Sequence, residues 1–365
     1  DSIDLPAGQC VDVVIPFQPL VSTKEVWLRL SAHETSAKPW CNAGFEIAKE
    51  QFQLAESSLR RDESTVRPLS VKDSPAWIEL QGKAFTAKVN KASGELVSYI
   101  VNGNEWIKSP LRPAFWRPQT DNDKKGAKTH KLMKYWMELD GKLKTDSVEL
   151  IKKDDTSSTV IVKKSADKTD LVISYSFNGN GEITVSMDLD ADVSLPPMPR
   201  IGFTMGISKD FSKTRYFGKG PWENYCDRNA GAEIGLYETP TADMYYEYAM
   251  PQENGHRTQT RWIELSGKAD TLRIDGYEPM GFSIWPWSAE NIAAAKHPYD
   301  LVDQGYFTLN IDHRHMGVGG TDSWSTKALP LEHYQIPAGK QTWSFILAAQ
   351  SLLQRESKRY PLPSQ

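Results

Sequence analysis

The chain has 365 residues, of which 39% are hydrophobic and 25% are charged, with a formal net charge of -4. This composition supports a sizeable core and excludes an intrinsically disordered chain, and the weak negative charge excludes a basic surface for nucleic acid. No apolar run approaches the length of a membrane span, so we expect neither a nucleic-acid nor a membrane partner.

Residues 1–56 read as short strands bounded by proline and glycine. The β-rich runs are Val11–Ile15, Glu25–Leu30 and Glu46–Ala55. Three strands seldom form an independent sandwich, so this segment is predicted to be the second half of an immunoglobulin-like domain. The sequence starts at Asp1 without a start methionine or a signal-peptide pattern, and we therefore expect it to be a piece of a longer protein.

Residues 57–72 are polar and predict a linker, residues 73–352 a large domain, and residues 353–365 a tail. Within the large domain, alternating segments predict many strands and only two helices, which favours a large two-sheet β-sandwich. The clearest predicted strands are Phe85–Val89, Val97–Val101, Ser147–Lys152, Thr159–Lys163, Leu171–Phe177, Glu182–Leu189 and Tyr306–Ile311. The predicted helices are Lys128–Leu139 and Ser288–Ala295.

The three cysteines, Cys10, Cys41 and Cys226, are too few and too widely spaced for a disulfide framework or a zinc site. Cys10 and Cys41 could pair across a small sandwich, although single buried thiols are the favoured interpretation. The compartment, cytoplasmic or periplasmic, therefore stays open.

Pro113–Asp123 is a rigid aromatic loop that ends in Asp121, Asn122 and Asp123. Two carboxylates two residues apart could bind an ion or perform acid–base chemistry. The same residues are common turn caps that precede helices, and the capping role is favoured.

Gly218–Tyr225 resembles the start of a phosphate-binding loop, but it lacks the third glycine and is interrupted by Pro221. Its polar residues Glu223 and Asn224 could instead hold sugar hydroxyls, or could satisfy backbone amides. Pro251–Arg257 places polar groups between aromatic strands, where they would form either a hydrogen-bond network or a ligand site.

The predicted strand at Tyr306–Ile311 leads into a glycine-dense loop that carries Trp324. This indole could plug the end of a sandwich, which the segment alone favours, or could stack on the apolar face of a sugar. His313 and His315 share one face if the strand continues, with Asp312 opposite. Zinc would need a third ligand that the spacing does not supply, so no metal site is predicted.

Four segments in order resemble the C-terminal region of the large β-galactosidases of glycoside hydrolase family 2. They are Phe115–Asp123, Gly218–Arg228, Pro251–Gly255 and Gly317–Ser325. Trp40–Glu46 is similar to the end of the immunoglobulin-like domain that precedes this region, so the resemblance covers essentially the whole chain.

The resemblance implies an all-β fold: a large galactose mutarotase-like β-supersandwich, preceded here by part of an immunoglobulin-like sandwich. It implies a retaining enzyme that hydrolyses terminal β-D-galactosides with two glutamates on a (β/α)8 barrel of the same full-length polypeptide. Mg²⁺ and a monovalent cation, Na⁺ or K⁺, would lie near that site, and the full-length enzyme would be a homo-oligomer. No catalytic residue and no cofactor would belong to the present chain.

By the same resemblance, Trp324 would reach into the catalytic pocket and stack on the sugar. The residues that could belong to neighbouring pocket loops are Asp121, Asn122, Asp123, Glu223, Asn224 and Asp322. The chain departs from the family pattern at Thr321, where aspartate is commoner, and at Trp222. It also departs at Lys124 and Lys125, directly after the loop Pro113–Asp123, which leaves the role of that loop open.

Two alternatives remain on the same fold: a stand-alone carbohydrate-binding module that uses exposed tryptophans, and an aldose epimerase. An epimerase needs a paired general acid and base. Candidates for that pair are His130, Glu223, His256 and His297, and no two of them form a convincing pair in the sequence.

Overall fold

The computed structural model of the chain describes residues 3, 5–16, 24–56, 67–268 and 270–349. The chain divides into two compact units, residues 1–63 and residues 64–365. Most of the predicted linker (residues 57–66) and the whole predicted tail (residues 353–365) lie outside the described residues. No helix in the described part is both long and apolar enough to span a membrane.

The first unit contains one antiparallel pair of strands, β1 (Val26–His33) and β2 (Glu46–Ala55). Two of the three predicted strands of this region are therefore confirmed. The strand predicted at Val11–Ile15 is wrong, because these residues are exposed and form no strand. A β-branched run becomes a strand only where a neighbouring strand pairs with its backbone, and no described residue pairs with this run.

The three cysteines are free thiols. Cys10 is exposed, which contradicts the expectation of buried thiols, whereas Cys41 and Cys226 are half-buried. The thiol of Cys226 donates to the main-chain oxygen of His315 at 3.4 Å. Burial raises the pKa of Cys226 to about 11, so its thiol is neutral and unreactive at ordinary pH.

The second unit is built mainly from antiparallel strands, which confirms the predicted all-β fold. The strands are β3 (Ser70–Asp73), β4 (Trp77–Gln81), β5 (Phe85–Asn90), β6 (Leu96–Val101), β7 (Asn104–Glu105), β8 (Ile107–Ala114), β9 (Lys144–Lys152), β10 (Ser157–Ala166), β11 (Thr169–Asn178), β12 (Ile183–Ala191), β13 (Arg200–Ser208), β14 (Lys213–Gly220), β15 (Glu233–Pro240), β16 (Arg257–Ser266), β17 (Thr271–Trp285), β18 (Tyr306–His315) and β19 (Lys340–Ala349). The helices are α1 (Thr129–Leu132), α2 (Lys134–Lys142) and α3 (Ala289–Ala294), with a π-helical turn at Asn122–Gly126 and 3-10 turns at Thr241–Met244, Pro298–Asp300, Thr326–Ala328 and Glu332–Tyr334. Each strand predicted for this unit is present, with its ends shifted by at most a few residues.

The long strand β17 connects two branches of the sheet. Its first half, residues 272–276, pairs with β19, and its second half, residues 281–285, pairs with β18. Exposed residues 277–279 separate the two halves. One branch runs from β19 through β12, β11 and β10 to β9, and the other from β18 through β13, β8, β6, β5 and β4 to β3. One hydrophobic core contains buried side chains from both branches.

Strands β13 and β18 lie side by side at the β17 end of their branch and are buried on both faces. They therefore lack the alternation of β5, in which Phe85, Ala87 and Val89 are buried and the residues between them are half-buried. The first residue of β13 and the last residue of β18 pair with each other. This end of the sheet positions the polar cluster described below.

A β-bulge near the end of β18 contradicts the expectation that His313 and His315 share one face of the strand. The register with β13 shifts there, so His313 has no partner on that strand. Asp312 and His315 consequently face the same residue, His256, whereas His313 stacks on Trp343 with ring centroids 5.8 Å apart. His313 and His315 therefore do not share a face, because the inserted residue breaks the two-residue alternation.

The predicted helix at Lys128–Leu139 is divided into α1 and α2 at Met133, whose φ of -111° and ψ of 26° are not helical. Met133 is fully buried. The second predicted helix is confirmed as α3. It begins after Ser288, whose hydroxyl oxygen accepts a hydrogen bond from the N–H of Asn291 at 3.1 Å.

Candidate functional site

Residues 316–325 follow β18 and form a loop that we call the Trp324 loop. The side chain of Trp324 is 79% exposed. The interpretation that this indole plugs the end of the sandwich is therefore wrong, since it takes no part in the hydrophobic core. The loop instead presents a large flat aromatic surface to solvent.

The backbone that carries this indole is held by hydrogen bonds. Oδ1 of Asp322 accepts the N–H groups of Trp324 at 3.2 Å and Ser325 at 3.0 Å, and Oδ2 accepts the Ser325 hydroxyl at 2.6 Å. The Ser325 hydroxyl also lowers the pKa of Asp322. At Gly320 an added Cβ would lie 2.4 Å from the main-chain oxygen of Ala328, so this close approach requires glycine.

The three polar residues at the end of the loop Pro113–Asp123, which we call the acidic loop, have different roles. Asp123 accepts hydrogen bonds from Nε of Arg117 at 3.0 Å and from Nη2 at 2.9 Å, and both side chains are buried. Asp123 also accepts the N–H of Thr120 at 3.0 Å, as in a turn cap. Asp123 is thus a structural residue, whereas Asp121 and Asn122 line a cleft.

The side chains of Glu223 and Asn224 are engaged within the protein. The Glu223 carboxylate accepts hydrogen bonds from Arg228 and Tyr248, and from the N–H of Gly255 at 2.7 Å. Asn224 is buried, and its amide accepts one main-chain N–H at 2.9 Å and donates to two carbonyls. Of the two interpretations, the satisfaction of backbone groups describes both residues.

The polar segment Pro251–Arg257 contains both satisfied and unsatisfied groups. The Asn254 amide accepts one main-chain N–H at 2.9 Å and donates to a carbonyl at 2.8 Å. In contrast, Oε2 of Glu253 and both ring nitrogens of His256 are buried and have no hydrogen-bond partner among the described residues. Such groups are rare in folded proteins and call for a structural or functional reason.

Glu253 and His256 belong to a cluster of buried polar side chains, which we call the buried cluster. Its members are Arg117, Arg200, Tyr225, Glu253, His256, Asp312 and His315. Arg200 donates to Oδ1 of Asp312 through Nε at 3.0 Å. Oδ2 of the same carboxyl lies 3.3 Å from Nε2 of His256, but the two atoms are not oriented to form a hydrogen bond. The Tyr225 hydroxyl donates to Oε1 of Glu253 at 3.3 Å.

Burial sets the protonation states in the buried cluster. It raises the pKa of Glu253 to about 7, although Arg200 and Arg117 act in the opposite direction. It lowers the pKa of His256 and His315 well below the usual value. The interior therefore favours neutral imidazoles near pH 7, whereas the carboxyl of Glu253 has a pKa close to that pH.

The tautomer of His315 follows from its neighbours. Its Nδ1 lies 2.9 Å from the main-chain oxygen of Met316, which can only accept, and 3.4 Å from Nη1 of Arg117, which can only donate. The contact with Met316 is much the shorter, so Nδ1 carries the proton. The unprotonated Nε2 then faces Oε1 of Glu253 at 3.7 Å, beyond hydrogen-bonding distance. Like Oε2 of Glu253 and Oδ2 of Asp312, this nitrogen is a buried acceptor without a hydrogen-bond donor in the described part of the chain.

A cleft of about 190 Å³ opens beside the buried cluster. The residues that line it are Thr120, Asp121, Asn122, Tyr225, Arg228, Tyr248, Gln252, Glu253 and Val318. Of the residues singled out in the sequence as site candidates, the cleft brings together Asp121 and Asn122. The candidates that do not line it are Asp123, Glu223, Asn224, Asp322 and Trp324, together with His130, His256 and His297 as acid–base candidates.

Arg117, Arg200, Tyr225 and Glu253 were not singled out individually from the sequence. The signals for the cluster in the sequence were the polar segment Pro251–Arg257 and the residues Asp312 and His315 at the end of the predicted strand. No group of three histidine, cysteine, aspartate or glutamate side chains in the described ranges could hold a metal ion. The Mg²⁺ and the monovalent cation that the resemblance implies thus have no such ligand group in the described residues.

The sequence comparisons with known proteins all point to β-galactosidases. The sequence profile of the family "Beta galactosidase small chain" matches residues 81–347, and that of "Beta-galactosidase, domain 4" matches residues 1–55. The β-galactosidase of Priestia megaterium is 30% identical over 84% of this chain and 30% of its own length. The β-galactosidase of Lactobacillus delbrueckii subsp. bulgaricus is also 30% identical, over 89% of this chain and 32% of its own length. The chain thus spans about a third of the curated relatives it matches.

Among solved structures, a putative aldose 1-epimerase from Escherichia coli K12 is similar over 77% of this chain and 99% of the epimerase chain, with a TM-score of 0.41 and 10% identity. The galactose 1-epimerase of Lactobacillus acidophilus NCFM is similar over 78% of this chain and 99% of the epimerase chain, with a TM-score of 0.43 and 7% identity.

Proposed function

The chain belongs to the β-galactosidase small-chain family, and from this premise we propose that it is the C-terminal, non-catalytic part of a retaining β-galactosidase. In this proposal the reacting glutamates belong to a barrel of the same full-length polypeptide, and the Trp324 loop completes the galactoside pocket of that barrel. The observation that carries the proposal is the exposed indole of Trp324 on a hydrogen-bonded loop backbone.

The chemistry of retaining glycosidases supports assigning catalysis elsewhere. These enzymes need two carboxyl groups about 5–5.5 Å apart, one as nucleophile and one as acid and base. Glu223 is occupied by Arg228, Tyr248 and a main-chain N–H, and Glu253 is buried against the cluster. Neither group is presented as a nucleophile to a glycosidic bond.

Stacking of Trp324 on a sugar ring would contribute about 1–2 kcal/mol, judged from aromatic pairs and base stacking. That energy positions the sugar and adjusts affinity, but it cannot replace an acid and a nucleophile. We therefore expect no hydrolysis of a nitrophenyl galactoside by the 365-residue chain alone.

The two family matches and the two compact units support a related proposal about the domains. Residues 1–56 would be part of an immunoglobulin-like sandwich, residues 57–72 a linker, residues 73–352 the supersandwich domain and residues 353–365 a tail. The family resemblance further supports barrel-bound Mg²⁺, a monovalent cation and a homo-oligomeric full-length enzyme.

The test uses the complete polypeptide that contains this chain. Trp324→Ala should raise KM for a nitrophenyl galactoside about five- to thirtyfold, the equivalent of the stacking energy, without lowering the melting temperature. Trp222→Ala is the matched control, because Trp222 is also exposed, at 73%, and should leave KM unchanged. An unchanged KM in Trp324→Ala would refute the role of the loop.

Two further measurements address the alternatives. Conversion of α-D-galactose into its β anomer by the 365-residue chain would favour an aldose epimerase. Tight galactoside binding by that chain that disappears in Trp324→Ala would favour a stand-alone carbohydrate-binding module.

A further inference from the structure

We propose that Asp227 is a positioning residue for galactoside binding: its carboxylate fixes the backbone that leads to Trp324 and so sets where the indole meets the sugar. Asp227 itself would not touch the substrate. The link to the sugar rests on the proposed function of the Trp324 loop, whereas the contacts between Asp227 and the loop belong entirely to the present chain.

A hydrogen bond joins Asp227 to the first part of the Trp324 loop. Oδ2 of Asp227 accepts the N–H of Gly319 at 2.7 Å. An N–H group that binds a carboxylate forms a stronger hydrogen bond than one that binds a neutral oxygen. The N–H groups of Met316 and Gly317 bind main-chain oxygens instead. Asp227 is therefore the one side chain in the described part of the chain that accepts an N–H from residues 316–319.

The loop backbone passes so close to this carboxylate that it leaves no room for a side chain. A Cβ added to Gly317 would lie 2.4 Å from Oδ2 of Asp227, and one added to Gly319 would lie 3.2 Å from the same atom. Neither glycine has a φ in the left-handed region, so backbone geometry does not require glycine at these positions. Glycine is needed at 317 because a side chain there would push the loop away from Asp227.

Asp227 belongs to a short turn that is itself anchored. Tyr225 and Arg228 exchange main-chain hydrogen bonds of 3.2 and 2.8 Å, which close the turn around Asp227. Tyr225 is buried, and the neighbouring thiol of Cys226 donates to the main-chain oxygen of His315, the last residue of β18. The turn therefore holds the chain both at the end of β18 and inside the Trp324 loop.

The bond to Asp227 also has a particular place along the loop. In the described part of the chain, the hydrogen bonds of residues 320–324 are made within the segment 320–328. These bonds keep the tip in shape without connecting it to another segment. The bond between Asp227 and Gly319 is thus the last described hydrogen bond before Trp324 that connects the loop to a distant segment. Its loss should let the indole move relative to the sugar.

The test uses the complete polypeptide and a nitrophenyl galactoside. Asp227→Ala should raise KM about three- to tenfold, with kcat little changed, because a displaced indole loses part of its stacking on the sugar. In the Trp324→Ala background the same change should leave KM unaltered, since no indole remains to be positioned. Asp227→Asn should restore most of the affinity, because its amide oxygen can still accept the N–H of Gly319.

Two further variants complete the design. Gly317→Ala leaves Asp227 in place but adds a methyl group against its carboxylate, so it should also raise KM, and it keeps the test informative if Asp227→Ala does not fold. Asp303→Ala is the matched control, because Asp303 accepts the N–H of Gly305 at 2.7 Å in the turn before β18. It should leave KM unchanged.

The outcomes separate this inference from the proposed function. An unchanged KM in Trp324→Ala would refute the proposed function and this inference with it. A raised KM in Trp324→Ala, together with an unchanged KM in both Asp227→Ala and Gly317→Ala, would overturn this inference alone. An equal effect of Asp227→Ala with and without the indole would also overturn it, because the carboxylate would then act on binding by a route that does not involve Trp324.

Discussion

Arg117 and Asp123 form a two-pronged ion pair sealed inside the protein, with side-chain exposures of 1% and 5%. The same guanidinium donates to the main-chain oxygens of Met316 at 2.8 Å and Gly317 at 2.9 Å. One arginine thus joins the acidic loop to the first residues of the Trp324 loop. Two segments that are far apart in sequence are thus joined through one side chain.

Breaking this pair should destabilise the fold strongly. We expect Arg117→Met to lower the free energy of unfolding by about 3–5 kcal/mol, because it leaves the Asp123 carboxylate buried without its counter-charge. The double variant Arg117→Met with Asp123→Asn should recover part of the loss, since no buried charge remains. Urea unfolding of the single and double variants measures the coupling. Additive effects would show that the two side chains do not act as a pair.

The pKa of Glu253 predicts a pH-dependent stability difference. Because burial raises that pKa from 4.5 to about 7, the contribution of this group to stability is fully present below pH 4.5 and is lost as pH rises through 7. Glu253→Gln mimics the protonated form. Its stability relative to the unmodified chain should therefore rise between pH 5 and pH 8, by up to about 3 kcal/mol, at about 1.4 kcal/mol per pKa unit.

Thermal or urea unfolding at pH 5, 6.5 and 8 measures this difference. Glu79→Gln is the control for the substitution itself, because that carboxyl pairs with Lys72 and Lys88 and does not belong to the buried cluster. A constant difference for Glu253→Gln across this range would contradict the raised pKa.

Trp285 connects the core to the polar segment of the site. It is fully buried, and its Nε1 donates to the main-chain oxygen of Asn254 at 2.9 Å. Trp285→Phe keeps an aromatic ring but leaves that oxygen without its donor, which should cost about 1–3 kcal/mol. Urea unfolding measures the loss. Phe282→Leu, a core change without a lost hydrogen bond, separates the hydrogen bond from the loss of ring volume.

Asp322 is predicted to hold the Trp324 loop in place. Asp322→Ala removes the acceptor for the N–H groups of Trp324 and Ser325, so both amides should exchange with deuterium faster. Asp300→Ala is the matched control, because Asp300 accepts two N–H groups in a different turn. Unchanged exchange at Trp324 and Ser325 in Asp322→Ala would show that the loop is held by other contacts.

Much of the fold could be predicted because strand periodicity is local. The alternation in segments such as 171–177 reports which face of a strand is buried, and β11 shows it as expected. The wrong predictions arise where the structure of a segment depends on a strand that is distant in sequence. Val11–Ile15 has strand composition but no pairing strand among the described residues, and the bulge in β18 cannot be inferred from the spacing of His313 and His315.

For the candidate site, the sequence by itself determined the family resemblance, the all-β fold and a glycine-rich loop with an indole, because motifs and periodicity are properties of neighbouring residues. Tertiary structure alone decided that Trp324 is exposed, that Asp123 is sealed against Arg117, and that Glu253 lies in a cleft wall. Burial and charge pairing depend on which distant strands and loops meet, and those contacts exist only in the folded chain.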